Sequence, residues 1–159
     1  MDFFGHLPKD KEELIAIASQ EGKTTVLNRT NYILQMIING VKVDFVDYSR
    51  YPWIDEPVQS DGFILASDKD IAALKVNAIM GRGTRKDFVD IYVLLQHFSL
   101  EEILSFYKQK YPENSEYRAL RSLTYFEDAE MQDMPTMLFN TSWNDMKKAI
   151  IKAVCDYQK

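Results

Sequence analysis

The sequence contains few of the residues that stabilise secreted domains or multi-cysteine metal sites. Cysteine occurs once, at Cys155, and histidine twice, at His6 and His97. A single cysteine excludes an internal disulfide, and two histidines so far apart do not indicate a metal site by themselves. There is also no signal segment and no apolar run long enough to span a membrane. We therefore expect a cytoplasmic protein with no membrane partner.

An excess of basic residues is also lacking. Lysine and arginine together number 19 and aspartate and glutamate 24, which gives a net charge of -5. This balance argues against a nonspecific nucleic-acid binder but still permits a local basic cleft. The 159 residues are 46% hydrophobic and 13% aromatic, enough to form a core and to exclude extensive disorder.

The order of the patterns predicts an α+β protein. Strands and one early helix occupy residues 1–66, and helices occupy residues 67–159. We expect these two parts to pack as a single compact unit. The predicted strands are 1–4, 24–28, 32–38, 41–46 and 63–66, with an irregular connection over 50–62. The predicted helices begin at Leu7-Pro8, Ser67, Thr84, Ser99, Ser115 and Ser142, and the one starting at Ser115 extends to Ala129. Asn39-Gly40 predicts a tight hairpin because both residues tolerate positive φ.

A lysine lies on the apolar side of the helix predicted from Ser67. Lys75 is four residues from both Ile71 and Ile79, so the three share one helix face. A buried lysine is costly unless it meets an anion, although a long side chain can also extend to solvent at the edge of the face. Asp87 and Asp90 on the next helix are candidate partners, although Asp90 could instead pair with Lys86 one turn earlier. Thr84 with Asp87 resembles a capping box.

Two aspartates lie on predicted strands, Asp2 near the start of the chain and Asp44 on the polar face of the strand 41–46. Carboxylates from different strands can converge on a divalent cation, and Mg²⁺ suits a few carboxylates combined with phosphate oxygens. A lysine near such a site could neutralise phosphate charge. The alternatives are an ordinary chain-end residue for Asp2 and a solvated strand position for Asp44.

Several segments resemble the AbiEii/AbiGii-type nucleotidyltransferase toxins of the minimal-nucleotidyltransferase superfamily. The resemblance is most specific between residues 71 and 95 and covers nearly the whole chain. The segments that carry it are Asp70-Ile-Ala-Ala-Leu-Lys75-Val-Asn-Ala-Ile79, Arg82-Gly83-Thr84, Lys86-Asp87-Phe88-Val89-Asp90-Ile91-Tyr92, Val41-Lys-Val-Asp44-Phe45 and Asp2-Phe3-Phe4.

The resemblance implies a short mixed sheet with flanking helices, followed by a helical region, so that residues 1–66 would form a partial nucleotidyltransferase-like core. It implies that Asp2 and Asp44 bind Mg²⁺, with Asp44 as the third catalytic carboxylate of the family. Lys75 would contact the phosphates of a nucleoside triphosphate, for which GTP is one candidate. By its own position, Arg82 could bind a phosphate or accompany the last carbonyls of the helix that it follows. Asp87 would lie near the nucleotide or the acceptor. The implied reaction is transfer of a nucleotide to an RNA or a protein. The enzyme would be the toxin, and an antitoxin protein would be its partner.

One departure from the family pattern lowers the expected activity. The family has a Gly-Ser or Gly-Gly turn and a first aspartate upstream of the position of Asp2, and Met1 is where the residue between the two aspartates would be. We therefore expect weak transferase activity or none from this chain alone. The alternative is a non-catalytic module that binds a nucleotide or an antitoxin. An in-frame glycine-rich turn and aspartate encoded just upstream would favour the enzyme.

Overall fold

The computed structural model describes all residues from Met1 to Lys159 and confirms the α+β class. The chain divides into two compact units, Met1–Pro52 and Trp53–Lys159. The division falls after Pro52 and not after Ala66, so residues 53–66 belong to the second unit. None of the helices is both long and apolar enough to cross a membrane.

The first unit is a four-stranded mixed sheet with one helix. Its elements are β1 (Asp2–Gly5), α1 (Glu12–Glu21), β2 (Thr24–Arg29), β3 (Ile33–Ile38) and β4 (Val41–Asp47). The strand order is β1-β4-β3-β2, with β1 parallel to β4 and the other pairs antiparallel. The predicted hairpin joins β3 to β4, with φ of 49° at Asn39 and 82° at Gly40.

The core of this unit lies between α1 and one face of the sheet. Leu34 and Met36 of β3 are fully buried and cluster with Leu7 and Ala18. Because side chains alternate along a strand, Gln35 lies on the opposite face. The prediction that the helix opens at Leu7-Pro8 is wrong, since Leu7 packs in the core and α1 begins at Glu12, whose N–H donates to the Asp10 carboxylate.

The second unit begins with a two-stranded hairpin and continues with helices. Its elements are β5 (Val58–Ser60), β6 (Phe63–Leu65), α2 (Asp68–Gly81), α3 (Arg85–Leu94), α4 (Leu100–Lys110), α5 (Glu116–Leu123), α6 (Glu127–Glu130) and α7 (Trp143–Tyr157). The core residues come from all six helices and include Val76, Phe88, Tyr107, Leu123 and Ile150. Ser67, Ser99, Ser115 and Ser142 cap helices as predicted, each accepting a backbone N–H three residues later.

Two sequence predictions fail in this unit. Residues 58–60 were expected to be irregular but form β5, which turns into β6 through Asp61-Gly62 with positive φ at both residues. The single helix expected over residues 115–129 is interrupted after Leu123. Thr124 ends α5, and its hydroxyl donates to the Arg121 carbonyl, a local bond that competes with helix continuation.

Candidate functional site

The two aspartates predicted to bind metal are neighbours on the sheet. Asp2 of β1 and Asp44 of β4 are register partners in the parallel pair. Partners in adjacent strands point to the same face, and adjacent strands are about 4.8 Å apart. The side chain of Asp2 is 62% exposed and that of Asp44 is 17% exposed. The fold therefore brings together two carboxylates that are 42 positions apart in the sequence.

The two carboxylate oxygens of Asp44 have different surroundings. Oδ2 accepts hydrogen bonds from Gln35 Nε2 at 3.1 Å and from Lys42 Nζ at 3.0 Å. Oδ1 is buried and accepts none. A buried carboxylate oxygen without a hydrogen bond is unfavourable, and a cation would satisfy it. No group of three or more His, Cys, Asp or Glu side chains is placed to hold a metal ion. Asp44 and Asp2 could hold one Mg²⁺ only if its remaining ligands came from phosphate and water.

Lys75 finds its anions within the chain. Its ammonium lies 2.5 Å from Asp90 Oδ2 and 3.6 Å from Asp87 Oδ1, and the side chain is 26% exposed. These contacts between α2 and α3 explain how a lysine is tolerated on the apolar side of α2. Asp90 therefore pairs with Lys75 of the preceding helix.

Asp87 is the centre of this cluster of charges. Arg82 donates to both of its oxygens, from Nε and Nη2 at 2.9 Å each, and the Thr84 hydroxyl donates to Oδ2. Asp87 is fully buried, whereas the side chain of Arg82 is 55% exposed. Burial opposes ionisation, but the bonds from Arg82 and Thr84 and the charges of Arg82 and Lys75 outweigh it, so the pKa of Asp87 is lowered.

The predicted capping box at Thr84 does not form. The Thr84 side chain accepts no backbone hydrogen bond, and its hydroxyl donates to the Asp87 carboxylate. Asp87 therefore holds the turn between α2 and α3 by its side chain. The arrangement fixes two cationic groups, Arg82 and Lys75, beside one buried carboxylate.

A second buried ion pair was missed in the sequence. Lys110 Nζ at the end of α4 lies 2.7 Å from Asp70 Oδ1, and both side chains are fully buried. Asp70 also accepts from the Ser67 hydroxyl and from the backbone N–H groups of Ile54 and Asp55. Burial opposes ionisation of Asp70, yet the bonds from Lys110, Ser67 and Ile54 keep its pKa lowered.

A signal for this pair exists in the sequence. Lys110 follows Ile103 and Tyr107 at spacings of seven and three residues, so it lies on the apolar face of α4, as Lys75 does on α2. Nothing in the sequence around Asp70, at the start of α2, indicates that it is the partner of Lys110. The pair ties the start of α2 to the end of α4 and to residues 54–55, so we interpret it as structural.

Comparison with known proteins identifies a relative but not an activity. The chain is 30% identical over 166 aligned residues to Uncharacterized protein aq_aa25 of Aquifex aeolicus (strain VF5), covering 98% of this chain and 77% of that protein. The chain therefore belongs to the same protein family as the Aquifex protein. No family model matches the chain, and no solved structure matches it.

Proposed function

We propose that this α+β protein is a nucleotidyltransferase-fold protein of the AbiEii toxin type, which binds a nucleoside triphosphate with Mg²⁺. The observation that supports the proposal best is the side-by-side placement of Asp2 and Asp44 on parallel strands, with one buried oxygen of Asp44 lacking a hydrogen bond. The resemblance in sequence placed a metal-binding role on these two residues. Their pairing in the fold is what such a role requires.

The proposal assigns a separate role to each candidate site residue. Asp2 and Asp44 hold Mg²⁺, which when bound neutralises phosphate charge and orients the triphosphate. The resemblance assigns a phosphate contact to Lys75 of the second unit, and Arg82 of the same unit is a further candidate; both are cationic and partly exposed. Asp87 is fully buried, so we assign it the positioning of Arg82 and Lys75 in place of contact with the nucleotide or acceptor.

The acceptor in this proposal is an RNA or a protein hydroxyl, and the nucleotide is one of the four triphosphates, with GTP as one candidate. The chain carries a net negative charge, which disfavours broad nucleic-acid binding and favours an acceptor recognised locally. An antitoxin protein is the proposed regulatory partner.

Calorimetric titration with GTP, ATP, CTP and UTP, each with and without Mg²⁺, tests the proposal. We expect Mg²⁺-dependent binding of at least one triphosphate that Asp44→Asn abolishes. Asp61→Asn is the matched control, because Asp61 lies at the β5–β6 turn with φ of 48°, a conformation that asparagine also adopts. The proposal fails if no triphosphate binds, or if both variants bind as the unaltered protein does.

A second candidate function is a non-catalytic interaction module that binds an antitoxin or a nucleotide without turnover. The observation that favours it is the engagement of Lys75 by Asp90 and Asp87, which satisfies the lysine without any ligand. Incubation with each triphosphate labelled at the α-phosphate, RNA and Mg²⁺ separates the two functions. Label transfer to the RNA or to the protein supports the enzyme, and binding without transfer supports the module.

A further inference from the structure

A glutamine on the central strand β3 is placed to orient the Asp44 carboxylate. Gln35 and Asp44 are register partners in the antiparallel β3–β4 pair, and Gln35 Nε2 donates to Asp44 Oδ2 at 3.1 Å. We propose that Gln35 is a positioning residue for the metal-binding carboxylate, and this proposal rests on the proposed function of Asp2 and Asp44.

The orientation of the Gln35 amide is set by its other neighbour. Asn28 on the edge strand β2 is the register partner of Gln35 and donates from Nδ2 to Gln35 Oε1 at 3.4 Å. Because Oε1 accepts from Asn28, the amide presents its NH₂ group to Asp44. Asn28, Gln35, Asp44 and Asp2 therefore form a row of polar side chains in register across the four strands, on the face away from the apolar core of the first unit.

The bonds to Oδ2 leave Oδ1 as the oxygen of Asp44 that could bind a cation. Gln35 and Lys42 both donate to Oδ2, and Lys42 is the more exposed of the two, with a side chain 58% accessible. With Oδ2 held from two sides, the carboxylate has a fixed rotation, and Oδ1 is the oxygen without a hydrogen bond. Groups that hold a ligating carboxylate by hydrogen bonds raise metal affinity by orienting it before the metal arrives.

Gln35 lies outside the apolar core of the first unit. The core residues of β3 are Leu34 and Met36, which point to the opposite face. A polar residue is ordinary on the half-buried face of a sheet, so the presence of a glutamine does not by itself indicate a role. The specific observation is the bond from its amide to Asp44.

The test measures Mn²⁺ binding, which does not depend on knowing the nucleotide or the acceptor. Free Mn²⁺ is followed by electron paramagnetic resonance during titration of the protein, and thermal unfolding of each variant is recorded in parallel. The variants are Gln35→Met, which removes the amide, and Gln35→Asn, which keeps the amide but withdraws it by one methylene. Gln59→Met on the exposed strand β5 is the matched control.

We expect the affinity for Mn²⁺ to fall about tenfold in both Gln35 variants and to stay unchanged in Gln59→Met. A purely structural role of Gln35 would lower the unfolding temperature and leave the Mn²⁺ affinity of the folded protein unchanged, which would overturn the inference. If Gln35→Met does not fold, Gln35→Asn decides by the same criterion.

The outcomes also separate this inference from the proposed function. Mn²⁺ binding that Asp44→Asn abolishes but neither Gln35 variant alters would retain the metal site and overturn the role of Gln35. Equal binding by the unaltered protein and by Asp44→Asn would refute the metal site itself, and the inference with it.

Discussion

Asp70 and Asp87 are both fully buried in the second unit, but the cations that they contact differ in exposure. In Asp70→Asn the ammonium of Lys110, itself fully buried, loses its ion pair at 2.7 Å and keeps its contact with the Trp53 ring, 4.7 Å from the ring centre. Removing one partner of a buried ion pair destabilises a protein by about 3–5 kcal/mol. We expect Asp70→Asn to lower the free energy of unfolding by an amount in that range.

Asp87→Asn should cost less, although Asp87 is equally buried. The side chain of Arg82 is 55% exposed, so its guanidinium can be hydrated, and Lys75 retains Asp90 at 2.5 Å. The loss is then that of charge-assisted hydrogen bonds, about 1.5–3 kcal/mol. The exposure of the remaining cations, and not the burial of the aspartate, therefore decides the order of the two variants.

Urea unfolding at pH 7, followed by circular dichroism, measures both values. Asp68→Asn is the control, because Asp68 is exposed in the first turn of α2 and should contribute only about 0.3–1 kcal/mol through the helix dipole. The reasoning is refuted if the losses in unfolding free energy of Asp70→Asn and Asp68→Asn differ by less than about 1 kcal/mol. It is also refuted if Asp87→Asn loses more than Asp70→Asn.

The pH dependence of the same variants gives an independent check. The pKa values of Asp70 and Asp87 are lowered in the folded protein, so each carboxylate stabilises the fold fully above its unfolded pKa of about 4. That contribution is lost as the pH falls through the lowered, folded pKa. We expect the stability difference between the unaltered protein and Asp70→Asn to narrow between pH 5 and pH 3. A difference that widens over this range would contradict the assignment.

Four further variants can be measured with the same unfolding assay. Neither Gly40 nor Gly81 is crowded by other atoms, so the backbone conformation decides the sign of each effect. Gly40→Ala should destabilise the protein by about 1 kcal/mol, because φ at this position is 82°. Gly81→Ala should stabilise it by about 0.4–1 kcal/mol, because Gly81 lies in the helix α2. Phe88→Ala should cost about 3–5 kcal/mol, because its fully buried ring packs on Phe126 and Trp143; a cost below 2 kcal/mol on that scale would contradict the packing. Lys75→Met removes the partly exposed pair with Asp90 and a cation 3.6 Å from the buried Asp87, which keeps its bonds from Arg82 and Thr84, so the cost should be about 1 kcal/mol. In a nucleotide titration the same variant should weaken triphosphate binding about tenfold, and unchanged binding would remove Lys75 from the proposed site.

Local sequence signals predicted much of the secondary structure. Asn39-Gly40 gave the β3–β4 hairpin because a two-residue turn needs positive φ at both positions. The serine caps gave the starts of four helices because the hydroxyl satisfies an otherwise unpaired N–H. Asp61-Gly62 carries the same turn signal as Asn39-Gly40, and attention to it would have revealed β5.

Predictions of burial were less successful where a helix ended early. Helical spacing over residues 115–129 predicts apolar positions for both Tyr117 and Tyr125, but they are 66% and 52% exposed. The break at Thr124 changes the angular position of every later residue, so Tyr125 is exposed and Phe126 packs beside Phe88. Tyr117 precedes the break, so the break does not account for its exposure. A periodic pattern cannot show such a break, because it assumes an uninterrupted helix.

The sequence by itself determined the α+β order, the Asn39-Gly40 turn and the starts of four helices, because each depends on residues close together in the chain. Only the tertiary structure decided which distant residues meet. It placed Asp2 beside Asp44 through the parallel β1–β4 register, Gln35 on Asp44 through the β3–β4 register, and Lys110 on Asp70 through helix packing. Strand register and helix contacts are set by burial of the whole core, which no local pattern encodes.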